Sequence, residues 1–203
     1  YPNHFDAQYG LGVVAAQTGR TDRAAELFRK AIKLDPKAAN AHRSLGVALK
    51  DLKRPKDALG SFDKAIALKP DYAECHSSRG LALQDLRMPA DALAAFDRAI
   101  ALKSYFPEAH YNRGIALQEL GRPAEALAAH EKAIEQKPFF PEAFFNRGVV
   151  LEQLMRPDDA LASYGKAVAL KPDFPEALTS RGNILHEQRH LDEALACHDK
   201  AIA

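Results

Sequence analysis

The stretch PEAHYNRGIALQELGRPAEALAAHEKAIEQKPFF, residues 107–140, decides how the rest of the chain is read. Shifted by 34 residues it falls on PEAFFNRGVVLEQLMRPDDALASYGKAVALKPDF at 141–174 without insertion or deletion. The same shift aligns Gly12, Gly46, Gly80, Gly114, Gly148 and Gly182, so six copies follow one another. They span 5–38, 39–72, 73–106, 107–140, 141–174 and an incomplete 175–203, with residues 1–4 as the tail of a preceding copy. A fixed period of this size marks a stack of supersecondary units that bury their apolar faces against each other.

Within each copy the glycine is position 8, and positions 20 and 27 are always alanine: Ala24, Ala58, Ala92, Ala126, Ala160 and Ala194, then Ala31, Ala65, Ala99, Ala133, Ala167 and Ala201. Position 24 is a ring throughout, namely Phe28, Phe62, Phe96, His130, Tyr164 and His198. At about 100° per residue, positions 4, 7, 8 and 11 share one buried stripe and predict a helix A over positions 2 to 14. Positions 20, 24 and 27, spaced by four and three, predict a helix B after a break at positions 15 to 17. Pro55, Pro89, Pro123 and Pro157 open helix B, where the first amides lack intrahelical acceptors, and Thr21 is expected to cap it in the first copy. Glycine at 8 facing alanine at 20 lets the two antiparallel axes approach to about 8 Å. One such pair cannot cover both of its apolar sides, so its neighbours complete its core.

These positions, with Pro36, Pro70, Pro138 and Pro172 at position 32 and Ser104 as the exception, resemble the tetratricopeptide repeat (TPR) signature over the whole chain. The resemblance implies an all-α fold, a right-handed α-solenoid of stacked antiparallel helix pairs. It also implies a protein-interaction scaffold with no catalysis, cofactor or metal. The wording of residues 107–114 and 1–7 is similar to bacterial TPR arms of O-linked N-acetylglucosamine transferase-like enzymes, which implies an alternative role as the substrate arm of a larger glycosyltransferase. In such arms an asparagine row at position 6 holds the acceptor backbone, and only Asn112 and Asn146 match it.

Composition narrows the field. Hydrophobic residues at 47% with 27% charged belong to a folded chain. No apolar run approaches the roughly 18 residues of a bilayer span, and no charged-then-apolar leader opens the sequence, so neither membrane nor secretion is expected. A net charge of +1 provides no footprint for a phosphate backbone, so no nucleic-acid partner is expected. Cys75 and Cys197 make neither a disulfide framework nor a metal site and read as reduced thiols of a cytoplasmic protein.

Opposite the buried stripe of helix A lie positions 2, 6, 9 and 13, and in the TPR family helix A lines the concave surface. Position 2 reads Asp6, Asn40, Glu74, Glu108, Glu142, Glu176 and position 13 reads Gln17, Asp51, Asp85, Glu119, Gln153, Glu187: nine carboxylates and no base. Between them runs the apolar line Val13, Val47, Leu81, Ile115, Val149, ended by Asn183. This pattern predicts a groove for an extended peptide or partner protein whose basic residues are drawn to the carboxylates. The first-turn acids also favour the helix dipole by about 0.3–1 kcal/mol without any ligand. The fourth and fifth copies are the most ligand-ready, since Tyr111 and Phe145 bring rings beside Asn112 and Asn146. With Glu108, Ile115, Glu119, Glu142, Val149 and Asn183 they form the candidate peptide site.

Position 7 departs from the family's leucine after the second copy: Leu11 and Leu45 give way to Arg79, Arg113, Arg147 and Arg181. Asp63, Asp97 and Glu131, at position 25 of the preceding copies, are the expected acceptors for the first three, a ladder that sets how one pair seats on the next. Gly165 leaves Arg181 outside it. His186-Glu187-Gln188-Arg189-His190 matches the zinc-protease string H-E-x-x-H, but it runs out of helix A into a turn and is read as chance. His42, His76 and His110 at position 4 are read as packed side chains. Tyr72, Phe106, Phe140 and Phe174 at position 34 are expected to plug the joint between copies. A chain that starts and stops inside copies is expected to be a segment of a longer protein, with apolar end faces prone to head-to-tail self-association.

Overall fold

The structure, a computed structural model, describes residues 4–202, in which twelve α-helices and no strand occur. Of the expected tail of a preceding copy, residues 1–4, the first three lie outside the described residues. The chain divides between Ser104 and Tyr105 into two compact units. In the first, α1 (Phe5–Gln17) pairs with α2 (Thr21–Leu34), α3 (Ala39–Asp51) with α4 (Pro55–Leu68), and α5 (Ala73–Asp85) with α6 (Pro89–Leu102). In the second, α7 (Pro107–Glu119) pairs with α8 (Pro123–Gln136), α9 (Pro141–Gln153) with α10 (Pro157–Leu170), and α11 (Pro175–Glu187) with α12 (Leu191–Ile202). Inside each unit the second helix of one pair packs on the first helix of the next: α2 on α3 and α4 on α5, then α8 on α9 and α10 on α11.

Each pair is closed by one small residue and one ring. Ala58, Phe62 and Ala65 are completely buried, as are Ala160, Tyr164 and Ala167. A Cβ placed on Gly46 would stand 2.6 Å from Phe62 Cε1, and one on Gly148 would stand 2.5 Å from Tyr164 Cε1. The ring therefore occupies the volume that a side chain at position 8 would need, which is why the glycine and the ring recur together.

The connection inside each pair is set by backbone geometry. In the first pair the amide of Gly19 donates to Ala16 O at 3.2 Å and that of Arg20 to Ala15 O at 2.9 Å, the two bonds of a Schellman motif. The same two bonds recur at the other five turns, ending on Arg54, Met88, Arg122, Arg156 and His190. Thr21 is not a cap: it is the first residue of α2, in the slot the prolines hold, and the preceding Arg20 makes no side-chain cap bond. Helix A also begins and ends one residue earlier than the periodicity predicts.

The motif needs a left-handed residue, supplied by Gly19 and Gly121 but also by Lys53, Arg87, Met155 and Arg189. For an L side chain that conformation costs about 1–2 kcal/mol, of which glycine returns about 0.5–1 kcal/mol through its freer unfolded chain. Met155, at φ 58° with its side chain in solvent, touches little that would be lost. Met155→Gly is expected to raise stability by about 0.5–1 kcal/mol, measured by thermal denaturation.

Candidate functional site

In the first unit a cleft of about 210 Å³ opens beside α1 and α3. Val13, Val47 and Phe28 line it, with Gln17, Arg43, Ser44 and Asp51 as polar lining residues. The apolar row of position 9 and the polar row of position 13 thus border one cavity. Ser44 Oγ lies 3.2 Å from the Tyr9 hydroxyl, and Lys50 Nζ lies 3.4 Å from Asp51 Oδ1. Arg43 places its guanidinium 5.7 Å from the Tyr72 ring centroid, while its Nε is buried without an acceptor.

In the second unit Tyr111 and Phe145 are half-buried members of clusters of tilted rings. Tyr111 lies 4.9 Å from Phe140 and 5.7 Å from His130, and Phe145 lies 5.2 Å from Phe174 and 5.7 Å from Tyr164, centroid to centroid. Asn146 Nδ2 donates to the Tyr111 hydroxyl at 2.8 Å, repeating the Tyr9–Ser44 contact one position-5 ring to the next position 6. Burial raises the Tyr111 phenol above its ordinary value, and Glu142 adds to the rise, so the hydroxyl stays protonated. Asn112, Ile115, Glu142 and Val149 are half-buried; Glu108, Glu119 and Asn183 are exposed.

The carboxylate rows themselves hold no base, but lysines from the ends of the B helices reach them. Lys103 Nζ sits 2.9 Å from Glu74 Oε1, and Lys137 Nζ sits 2.9 Å from Glu108 Oε1. Each lysine comes from the end of helix B of the same pair, where the chain returns to the level at which helix A starts. The Lys103 hydrogen bond holds the Glu74 carboxyl below its ordinary value. Lys69, Lys137 and Lys171 also lie over the rings of Tyr72, Phe140 and Phe174 at 4.9, 4.5 and 4.6 Å. The signal was present in the sequence as a lysine at position 31 of four copies, Lys69, Lys103, Lys137 and Lys171.

Arg79 and Arg147 of the ladder meet acids. Arg79 Nε donates to Asp63 Oδ1 at 2.7 Å. Arg147 Nε lies 3.4 Å from Glu131 Oε1, and its Nη1 donates to Ser163 Oγ at 2.6 Å. Asp97 and Arg113 belong to different units.

Two of the position-24 rings that carry polar atoms, His130 and Tyr164, bond to position 12 of their own pair. His130 Nε2 donates to Gln118 Oε1 at 3.0 Å, and the Tyr164 hydroxyl donates to Glu152 Oε1. The phenylalanine copies need no such partner and have Ala16, Lys50 and Gln84 there. His42 and His76 each place Nε2 3.0 Å from the carbonyl oxygens of Pro36 and Pro70. His186 and His190 are exposed, and α11 ends at Glu187, so the H-E-x-x-H string does not lie on one helix. Among the described residues no three His, Cys, Asp or Glu side chains are grouped to hold a metal, and no helix is long and apolar enough to cross a membrane. Cys75 is fully buried, and burial pushes its thiol up to about 12, which makes it an unreactive core group.

Sequence models of the tetratricopeptide repeat match residues 1–39 and 9–73, and again 107–140 and 141–174. No protein of curated function matches the chain. Similar solved structures include MamA, at 28% identity and a TM-score of 0.73 over 83% of this chain and 92% of that one. YrrB, a TPR protein with an unusual peptide-binding site, is similar at 26% identity and a TM-score of 0.71 over 92% and 93%. PilF of Pseudomonas aeruginosa shares the fold at 23% identity with a TM-score of 0.86 over 95% and 88%. Glycine-and-ring hairpins in both units, together with repeat models that match more than half of the sequence, make this chain a member of the tetratricopeptide repeat family, with its all-α solenoid fold.

Proposed function

We propose that the chain is a non-catalytic protein-interaction scaffold that holds an extended peptide or partner segment along its A helices. The cleft beside α1 and α3 carries this reading: Val13, Val47 and Phe28 receive an apolar side chain, while Ser44 and Gln17 meet backbone amides and Asp51 meets a basic residue. Asn112 and Asn146 serve the second unit in the same way, since one amide donor of Asn146 is taken by Tyr111 and its other donor and its oxygen remain for a ligand. The peptide-binding site of the similar YrrB counts in favour. A substrate arm of an O-linked N-acetylglucosamine transferase-like enzyme would use the same two asparagines.

The test begins with peptides selected from a random display library, with affinity read by fluorescence anisotropy. Val47→Asp is expected to weaken the selected peptide at least about tenfold, because it puts a charge in the apolar floor. Asn112→Ala combined with Asn146→Ala is expected to cost about 1–3 kcal/mol of binding, two hydrogen bonds' worth, without loss of helix content. Unchanged affinity in both variants would remove the groove.

End-to-end association is the second reading. Leu11 and Val14 are 56% and 55% exposed, whereas Ala48 and Val150, position-10 residues of later copies, are 3% and 0% exposed. At the other end Leu195 and Ile202 are uncovered. Val14→Glu is expected to abolish such association in sedimentation velocity. The arginine contacts are proposed to fix how one pair seats on the next. With side chains 25–33% exposed they are of modest value, and Arg147→Met is expected to cost less than about 1 kcal/mol.

A further inference from the structure

Position 26, midway along every B helix, is a base in all six copies: Lys30, Lys64 and Arg98 in the first unit, Lys132, Lys166 and Lys200 in the second. All six are exposed. Among the described residues only Lys132 of this set is ion-paired, to Glu135 at 2.7 Å. Acids at the starts of the same helices are already held by arginines three residues earlier, Asp57 by Arg54 and Asp159 by Arg156, both at 2.6 Å. One turn to either side of Lys64, Arg98 and Lys166 the residues are small and exposed: Gly60 and Ala67, Ala94 and Ala101, and Ala162 and Ala169. The cations therefore stand clear of the surface.

Positions 2 and 13 of the A helices carry the opposite sign, with Asp85, Glu176 and Glu187 exposed and outside any ion pair among the described residues. Both rows come from the same 34-residue repeat, so within each unit a base at position 26 and the residues at positions 2 and 13 occur once per helix pair. A net charge of +1 sets up no long-range repulsion between copies.

We propose that a second copy of this chain is a partner for the A-helix face, presenting the exposed face of its B helices so that position-26 bases meet the carboxylates of Asp85, Glu176 and Glu187. The inference rests on the A-helix face being a binding surface. Sedimentation velocity over rising concentration is expected to show association that weakens at least about tenfold when ionic strength rises from about 0.1 M to about 1 M, as the Debye length falls from about 10 Å to about 3 Å. Lys64→Glu with Lys166→Glu, and separately Asp85→Lys with Glu187→Lys, are each expected to give monomers, and a mixture of the two variants is expected to give a heterodimer. A chain that is monomeric throughout, a mixture that stays monomeric, or association lost only with Val14→Glu overturns the inference. The library-selected peptide separates the two levels. Bound peptide on a monomeric chain sinks the self-partner alone, and no peptide bound with no association sinks the groove as well.

Discussion

Phe62→Ala is expected to destabilise the chain by about 3–5 kcal/mol, measured by urea denaturation followed with circular dichroism. The ring is completely buried and belongs to a cluster with Leu45, Leu49, Ala58, Ala65 and Cys75. It lies against Gly46, where no side chain exists to slide into the vacated space, so the cavity stays open. The α3–α4 pair uses α2 and α5 as the rest of its core, so weakening it also weakens two interfaces. Gly46→Ala acts on the same volume from the other side. Its methyl would stand 2.6 Å from Phe62 Cε1, an overpacking expected to cost about 1–3 kcal/mol. Combined with Phe62→Ala, the same methyl fills part of the cavity, so the double variant is expected to be more stable than the sum of the two losses predicts. Strict additivity would show that the glycine and the ring do not share one space.

That pairing was legible because glycine at 8 and the ring at 24 recur in every copy, and a period reports whatever all copies need. What varies between copies was harder to see. The left-handed turn residue announces itself at Gly19 and Gly121 but is hidden at Lys53, Arg87, Met155 and Arg189, where the Schellman bonds impose the conformation on ordinary side chains. Lys103 and Glu74 were missed because a helical wheel treats one helix at a time, and these two meet across the ends of different helices. Tyr111 and Asn146 lie 35 residues apart, one more than the period, so an alignment of equivalent positions never puts them side by side. The cleft beside α1 and α3 depends on side-chain volumes around Arg43, which stands where other copies have Tyr9, Tyr111 or Phe145. Volumes of that kind are packing quantities and leave no periodic trace.

His130 shows how one departure from the pattern sets the response to acid. Its ring fills the notch of Gly114, is wholly buried, and gives its Nε2 proton to Gln118, which leaves Nδ1 buried without a partner. Burial lowers the imidazole from its ordinary 6.5 to about 4. The unfolded chain therefore takes up a proton near pH 6.5, whereas the folded chain does so only near pH 4. Stability from this group is complete above about pH 6.5, is lost as pH falls towards 4, and changes no further below that. The gap between the two values corresponds to about 3 kcal/mol. Glu74 and Glu125 are held low by Lys103 and Arg122 and lose their contributions in the same direction, but only below the ordinary carboxyl value of 4.5. The window from pH 6.5 to 4.5 thus reports on His130 separately from these two acids. His130→Phe installs the ring that Phe28, Phe62 and Phe96 provide in the first unit. It is expected to flatten the stability profile in that window, read as denaturation midpoint against pH. Parallel profiles for the two proteins would mean that the folded chain accepts the imidazolium without penalty and that burial does not control this site.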